Sequence, residues 1–418
     1  KPLSQSEREL ITQWIREGAS YSDSEKIVPS DKIQDLEFLR RVTLDTVGMV
    51  PTHAEIEAFL RDSDKDRRPK ATNRLLADDR WADHWTAYWQ DVLAENPNIL
   101  KPSLNNSGPF RFWIHEALLD NLPMDRFVTE LVMMKGNAKA GGPAGFGLAA
   151  QNDVPMAAKA HILGTAFLGV EMKCARCHDA PYHVSKQKDL FQLAAMLNRD
   201  PIKLPSSSSV PSTIFEGRKP LIKITLKPGS TVEPHWPDPF TQNFLTAVNP
   251  ALLREAKDPR EKLAAMITAP GNERFPKVIV NRLWQQSMGA GLVDPVDDWE
   301  ASEPSYPDLL EWLACELAAN DYDQKHISRL ILNSAAYQRR SMPFEPSTKP
   351  NFSAPLQRRM SAEQIVDSLF SIAGKPLLSE ELTMDNDGTQ SAAAMISLGH
   401  PKRAWEFTSL SNERDRPS

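Results

Sequence analysis

Cys174-Ala175-Arg176-Cys177-His178 contains two of the chain's three cysteines, and a histidine directly follows the second. Cys-x-x-Cys-His is the pattern of covalent haem attachment. Residues three apart on a helical turn share a face, so both thiols can reach the vinyl groups of one porphyrin. The next imidazole is placed to take the iron as proximal ligand. The stretch therefore predicts haem c, with its iron, on Cys174, Cys177 and His178. Two other readings compete. A thioredoxin-like thiol pair follows a strand in a βαβ unit, whereas the lead-in His161-Ile162-Leu163-Gly164-Thr165-Ala166-Phe167-Leu168-Gly169-Val170 reads as helical. A structural zinc site needs a second ligand pair, and the chain has no other Cys-x-x-Cys or Cys-x-x-His.

Working outward, the helical signal dominates, and the expected class is mainly α. A multi-helix haem c domain precedes a second helical domain, with a small β hairpin region between them. The boundaries read as 26–200 for the first, 201–257 for a Pro/Ser-rich linker with the hairpin, and 258–418 for the second. Residues 1–25 form a separate terminal helix. There Ser4 and Glu7 make a capping-box pattern, Leu10, Ile11, Trp14 and Ile15 a stripe, and Gly18 a stop. Thr52 caps a helix through Ile56, Phe59 and Leu60. Trp81, Trp85, Tyr88 and Trp89 form an aromatic face that suits core packing better than a haem wall or sugar platform. Further helices are expected at Pro109–Leu119 and Asp125–Met134, and the glycine-rich Gly136–Gly147 is expected to be a flexible loop. The linker's Leu221–Leu226 alternates, Pro228-Gly229 turns, and Thr231-Val232-Glu233 returns as the second strand of a hairpin. Helices then follow at Pro276–Met288, stopped by Gly289, and at Pro307–Ala319, His326–Tyr337 and Ser361–Ala373, the last with a Ser361/Gln364 capping box.

At 418 residues the chain exceeds one typical core. Its net charge of −6, with 49 basic and 55 acidic residues, argues against nucleic acid as the main partner. No apolar run is long enough to span a bilayer, so no transmembrane segment is expected. Haem is attached outside the bacterial cytoplasm, so the motif implies a periplasmic or extracellular, cell-surface location. The chain opens at Lys1-Pro2-Leu3 inside a structured segment, as a processed or incomplete chain does. Cys315 reads as a buried, inert thiol.

Several separate stretches carry a family resemblance. Phe167–Asp179 around the haem motif and Leu39-Arg40-Arg41-Val42-Thr43-Leu44-Asp45-Thr46-Val47-Gly48-Met49-Val50-Pro51-Thr52 are two of them. Asn281-Arg282-Leu283-Trp284, Gly289-Ala290-Gly291-Leu292-Val293 and Tyr306–Ala314 are the others. Together they resemble the planctomycete-type cytochrome-associated proteins, in which a Cys-x-x-Cys-His domain of unknown function precedes a second uncharacterised helical domain. Leu3–Ala19 is similar to the last helix of the small cytochrome c domain that often lies upstream. The resemblance implies an exported haem c protein of bacteria rich in polysaccharide-degradation genes. It implies no reaction. Members often place a second histidine two residues after the haem histidine, where this chain has Ala180, followed by Tyr182-His183.

For the sixth iron position, His161, His183 and Met196 are the local candidates, because Met172 lies too close to Cys174 to reach the opposite haem face. Met/His ligation would suit electron transfer, and His183 could instead be an acid/base over an open site. Asp179 either orients the imidazole of His178 or caps the following turn. The pairs Asp297-Asp298 and Asp78-Asp79 read as solvated loop charges. Three functions follow as expectations. The first is an exported c-type cytochrome with one haem here, passing electrons to a periplasmic redox partner or an upstream cytochrome c domain. The second is a haem-dependent oxidoreductase or peroxidase acting on carbohydrates or their breakdown products. The third is a haem-pinned cell-surface scaffold.

Overall fold

A computed structural model describes residues 5–16, 30–93, 108–136, 142–148, 154–210, 214, 219, 221–240, 248, 251, 253–343, 350–377, 382–384 and 396–406. Its architecture is mainly α. Helix α1 (Gln5–Arg16) leaves Leu10 exposed, and the expected Ser4 cap, the Gly18 stop and the side chains of Ile11, Trp14 and Ile15 lie outside the described residues.

Helix α2 (Asp35–Val47) has Asp35 and Glu37 in its first turn, where the helix dipole favours negative charge, and ends at Gly48 with φ +75°. Helix α3 (His53–Arg61) begins at the expected cap, Thr52, whose hydroxyl accepts from the Glu55 N–H, and the Glu55 side chain completes a capping box. Helices α4 (Arg67–Leu76) and α5 (Arg80–Val92) follow. Trp81, Trp85 and Trp89 are almost fully buried, so the aromatic stripe of α5 is core and no platform. Next come α6 (Gly108–Leu119), α7 (Met124–Met133), α8 (Ala144–Leu148) and α9 (Pro155–Leu163). The glycine-rich stretch is therefore not all loop: buried Phe146 packs against the Phe110 ring and draws α8 into the core.

Helix α9 runs into a π turn, Gly164–Leu168, closed by Gly169 at φ +62°. A single 3-10 turn follows at Cys174–Arg176, then α10 (Gln187–Asn198). The later helices are α11 (Pro259–Thr268), α12 (Arg274–Met288), α13 (Pro307–Ala319), α14 (Gln324–Leu332) and α15 (Ala362–Ala373). The proline start of α13, the Gly289 stop of α12 and the Ser361/Gln364 box of α15 form as expected. Helix α14 stops before Tyr337, because the following residues turn to bond elsewhere: the Ile33 N–H donates to the Gln338 carbonyl at 3.0 Å.

The expected hairpin is corrected. Strand β1 (Ile202–Lys203) pairs antiparallel with β2 (Thr231–Val232), Ile202 opposite Val232, while residues 221–226 form no strand. The turn itself is real: the Ser230 N–H donates to the Lys227 carbonyl at 3.0 Å across Pro228-Gly229, with Gly229 at φ +84°. Its incoming arm has spent its backbone groups on the haem-motif loop, so part of the supposed linker supplies the partner strand. A second pair, β3 (Leu382–Met384) with β4 (Ile396–Gly399), lies near the C-terminus.

Both halves of the chain share one hydrophobic cluster. Phe167 meets Phe275 with ring centroids 6.4 Å apart, and the Arg41 guanidinium donates to the Tyr337 carbonyl at 2.6 Å.

Candidate functional site

The motif occupies the 3-10 turn. The Cys177 and His178 N–H groups both reach the Cys174 carbonyl at 3.3 Å, which winds the five residues into a single turn. Ala175 is fully buried and anchors the turn, while Cys174 is exposed and Cys177 half-buried, both as free thiols. Nδ1 of His178 lies 2.8 Å from the Asp179 carbonyl oxygen. A ring that donates from Nδ1 to a main-chain carbonyl presents Nε2 as its lone-pair nitrogen, the usual arrangement behind a metal-bound imidazole.

The Asp179 carboxylate caps rather than orients: the residue's contact with the imidazole is through its main-chain carbonyl. Its carboxylate accepts from the Gln187 N–H at 3.1 Å, at the start of α10, and from the Thr225 hydroxyl at 2.6 Å. Its own N–H donates to the Lys223 carbonyl at 2.8 Å. Gln187, fully buried, accepts from the N–H groups of Thr225 and Leu226 at 2.9 and 3.0 Å and donates to the Ser208 carbonyl at 3.2 Å. These bonds staple residues 221–226 beside the motif. Along this loop and strap Tyr182, Val184 and Leu221 are exposed, Leu221 completely so. Uncovered apolar side chains of this size are each worth roughly 1.5–3 kcal/mol when buried, so the rim suits an apolar occupant.

The distal candidates separate. Met196 is buried in the core near the C-terminal end of α10, about 14 Å along the helix axis from Gln187. His161, on α9, accepts the Met172 N–H at Nδ1 at 3.3 Å and lies 3.6 Å from Glu171. Burial, aided by Lys173, lowers its pKa despite the nearby Glu171 and Asp297. A neutral ring bonded that way carries its proton on Nε2. Met172 is fully buried against Gly164. His183 stays beside the motif, with Nε2 2.7 Å from Oδ2 of Asp298. Burial pulls its pKa down, but the hydrogen bond and charge of Asp298, with Glu300 and Glu171, outweigh that and raise it above the ordinary value.

The later half of the chain thus reaches into the site, which local sequence patterns did not reveal. The Glu300 carboxylate accepts the Val184 N–H at 2.6 Å, and the Trp299 N–H donates to the Gly169 carbonyl at 3.0 Å. Arg282, almost fully buried, donates to the π-turn carbonyls of Ala166 and Thr165 at 2.8 and 2.7 Å and to Asp297 at 2.5 Å. The reading of Asp297-Asp298 as free loop charges is therefore corrected: Asp298 holds His183 from across the junction, and Asp297 pairs with Arg282 of its own domain. Asp78 is likewise engaged, by Arg80. Cys315 is half-buried beside Glu311, and burial raises its thiol pKa. Among the described residues, no group of three His, Cys, Asp or Glu side chains converges as a closed zinc site requires. No described helix is long and apolar enough to cross a membrane.

Two family models match this chain. PSCyt2, a protein of unknown function (DUF1549), matches residues 13–201, and PSD1, a protein of unknown function (DUF1553), matches residues 259–403. The chain carries these two domains in tandem. They are the planctomycete-type pair that the motifs resemble, and the matches themselves carry no link to a cytochrome. No curated protein and no solved structure matches the chain. The Cys-x-x-Cys-His turn lies in the first domain, and Arg282, Asp297, Asp298 and Glu300 come to it from the second.

Proposed function

We propose that the protein is an exported c-type cytochrome, periplasmic or at the cell surface, that carries one haem here and passes electrons between protein partners. The observation behind this is two free thiols on one turn, followed by a histidine whose Nδ1 already faces a main-chain carbonyl. The donor set fits haem c: Cys174 and Cys177 would hold the porphyrin, Nε2 of His178 would take the iron, and Tyr182, Val184 and Leu221 would cover apolar surface. When bound, the haem supplies a one-electron iron couple. The chain's part is to fix the imidazole through the Asp179 carbonyl. It also keeps the loop rigid through Gln187 and the Asp179 carboxylate.

The test is expression with export in a bacterium that matures c-type cytochromes. Intact mass should exceed that of the polypeptide by one haem, with a c-type pyridine haemochrome spectrum, and Cys174→Ser with Cys177→Ser should abolish both. A haem-free chain with those cysteines joined to each other or holding zinc refutes the reading.

The His183–Asp298 pair favours a second reading, a haem-dependent oxidoreductase or peroxidase acting on carbohydrates or their breakdown products. An imidazole held at Nε2 by a carboxylate is equipped to move a proton at Nδ1. Low-spin iron indifferent to cyanide and peroxide supports electron transfer, whereas high-spin iron that binds them supports the enzyme.

A further inference from the structure

The chain's negative net charge hides a basic surface. Residues 171–230 hold ten Lys and Arg against five Asp and Glu, a net +5 that leaves −11 on the rest of the chain. Six lysines of this stretch, Lys173, Lys186, Lys188, Lys203, Lys223 and Lys227, are exposed, and among the described residues none forms an ion pair. Of the acids interspersed with them, Asp189 is buried and Asp179 is bonded to Gln187 and Thr225. Glu171 and Asp200 remain at the edges, Glu216 lies outside the described residues, and from the second domain Asp298 and Glu300 reach this face bonded to His183 and the Val184 N–H.

The backbone bonds bring these lysines around the motif. Lys173 precedes Cys174. The carbonyl of Lys223 takes the N–H next to His178, and Lys186 and Lys188 flank Gln187, which holds the 225–226 backbone. Lys203 and Lys227 meet at the β1–β2 turn, where the Gly229 N–H donates to the Leu204 carbonyl at 2.8 Å. Exposed Tyr182, Val184 and Leu221 lie among them. An apolar centre inside a charged rim is the anatomy of a protein–protein contact, whereas a polyanionic chain is matched by a linear cationic track. The opposite charge on the remaining surface turns an acidic partner toward this face.

We propose that this lysine-rimmed face is the docking surface for an acidic electron-transfer protein. The inference rests on the haem reading and names its partner class.

The test uses the haem-loaded protein with plastocyanin, an acidic copper protein, as the probe. Binding is followed by calorimetry and oxidation by stopped flow, with dextran sulfate as a competing polyanion. The expected result is a rate and an affinity that each fall roughly tenfold or more from low salt to about 0.3 M. The triple variant Lys173→Glu, Lys188→Glu, Lys223→Glu should lose that salt dependence and at least about tenfold in affinity, with the haem spectrum and unfolding temperature unchanged. Salt-independent binding and oxidation of a properly haem-loaded protein overturns this inference alone. So does lysine-dependent binding of dextran sulfate that exceeds plastocyanin binding at physiological salt, which assigns the face to an anionic polysaccharide. A preparation without covalent haem overturns the parent reading, and this one with it.

Discussion

Nε2 of His183 in the first domain lies 2.7 Å from Oδ2 of Asp298 in the second, and both side chains are mostly shielded from solvent. The pair closes the junction directly beside the Cys-x-x-Cys-His turn. Its strength depends on the imidazole carrying charge, which gives the contact a pH signature.

The pKa of His183 is raised in the folded protein, so the pair contributes stability below the ordinary imidazole pKa of about 6.5, and that contribution is lost as pH rises through the raised value. Asp298→Asn should therefore cost about 1 kcal/mol in acid and progressively less in alkali. Urea unfolding of both proteins at about pH 5.5 and pH 8.5 checks the sign. An equal cost at both pH values means that the pair is neutral.

Gln187 is fully buried and makes three hydrogen bonds to two separate backbone segments. Gln187→Leu leaves the Thr225 and Leu226 N–H groups and the Ser208 carbonyl without their partner, at a cost of roughly 2–4 kcal/mol. Limited proteolysis should show new cleavage within residues 221–226 before global unfolding. Unchanged protection there would mean that Asp179 and Thr225 suffice to hold the strap.

Arg282→Met removes a buried cation and uncaps the Thr165 and Ala166 carbonyls of the π turn. The expected loss is about 3 kcal/mol, seen as a lower thermal midpoint. Arg282→Lys should rescue little, because an ammonium cannot span both carbonyls and Asp297 as the planar guanidinium does.

Gly169 combines a positive φ with a crowded neighbour: a Cβ there would meet Cδ1 of Trp299 at 2.6 Å. Gly169→Ala should cost about 2 kcal/mol or more, from backbone strain and from displacement of the indole. Tryptophan fluorescence of the native state should shift with it. A variant with native stability and emission would show that the loop carrying Trp299 moves freely.

Local signals were legible where local chemistry decides. Ser361 with Gln364 and Thr52 satisfy orphan backbone groups within a turn, and Pro307 fills a first position that needs no N–H, so their helices could be read directly. The Cys-x-x-Cys-His turn was legible for the same reason, as all five residues lie within one hydrogen-bonded loop. What failed was decided at long range. The alternation of Leu221–Leu226 is a real extended pattern, but Gln187 and Asp179 claim its backbone from outside the segment. Asp298 showed no local pattern that points to a histidine 115 residues away. The lysine rim vanished into a net charge of −6, because composition sums over faces that the fold keeps apart.

The shared core has a consequence for how this tandem can be handled. Severing the chain between residues 201 and 259 would strip Phe167 of Phe275 and the π turn of Arg282, and would leave Trp299 and Arg41 without their backbone partners. Neither fragment would keep an intact interior, so the two segments stand or fall together. A mutation that loosens either one reaches the thiol-bearing loop through the other.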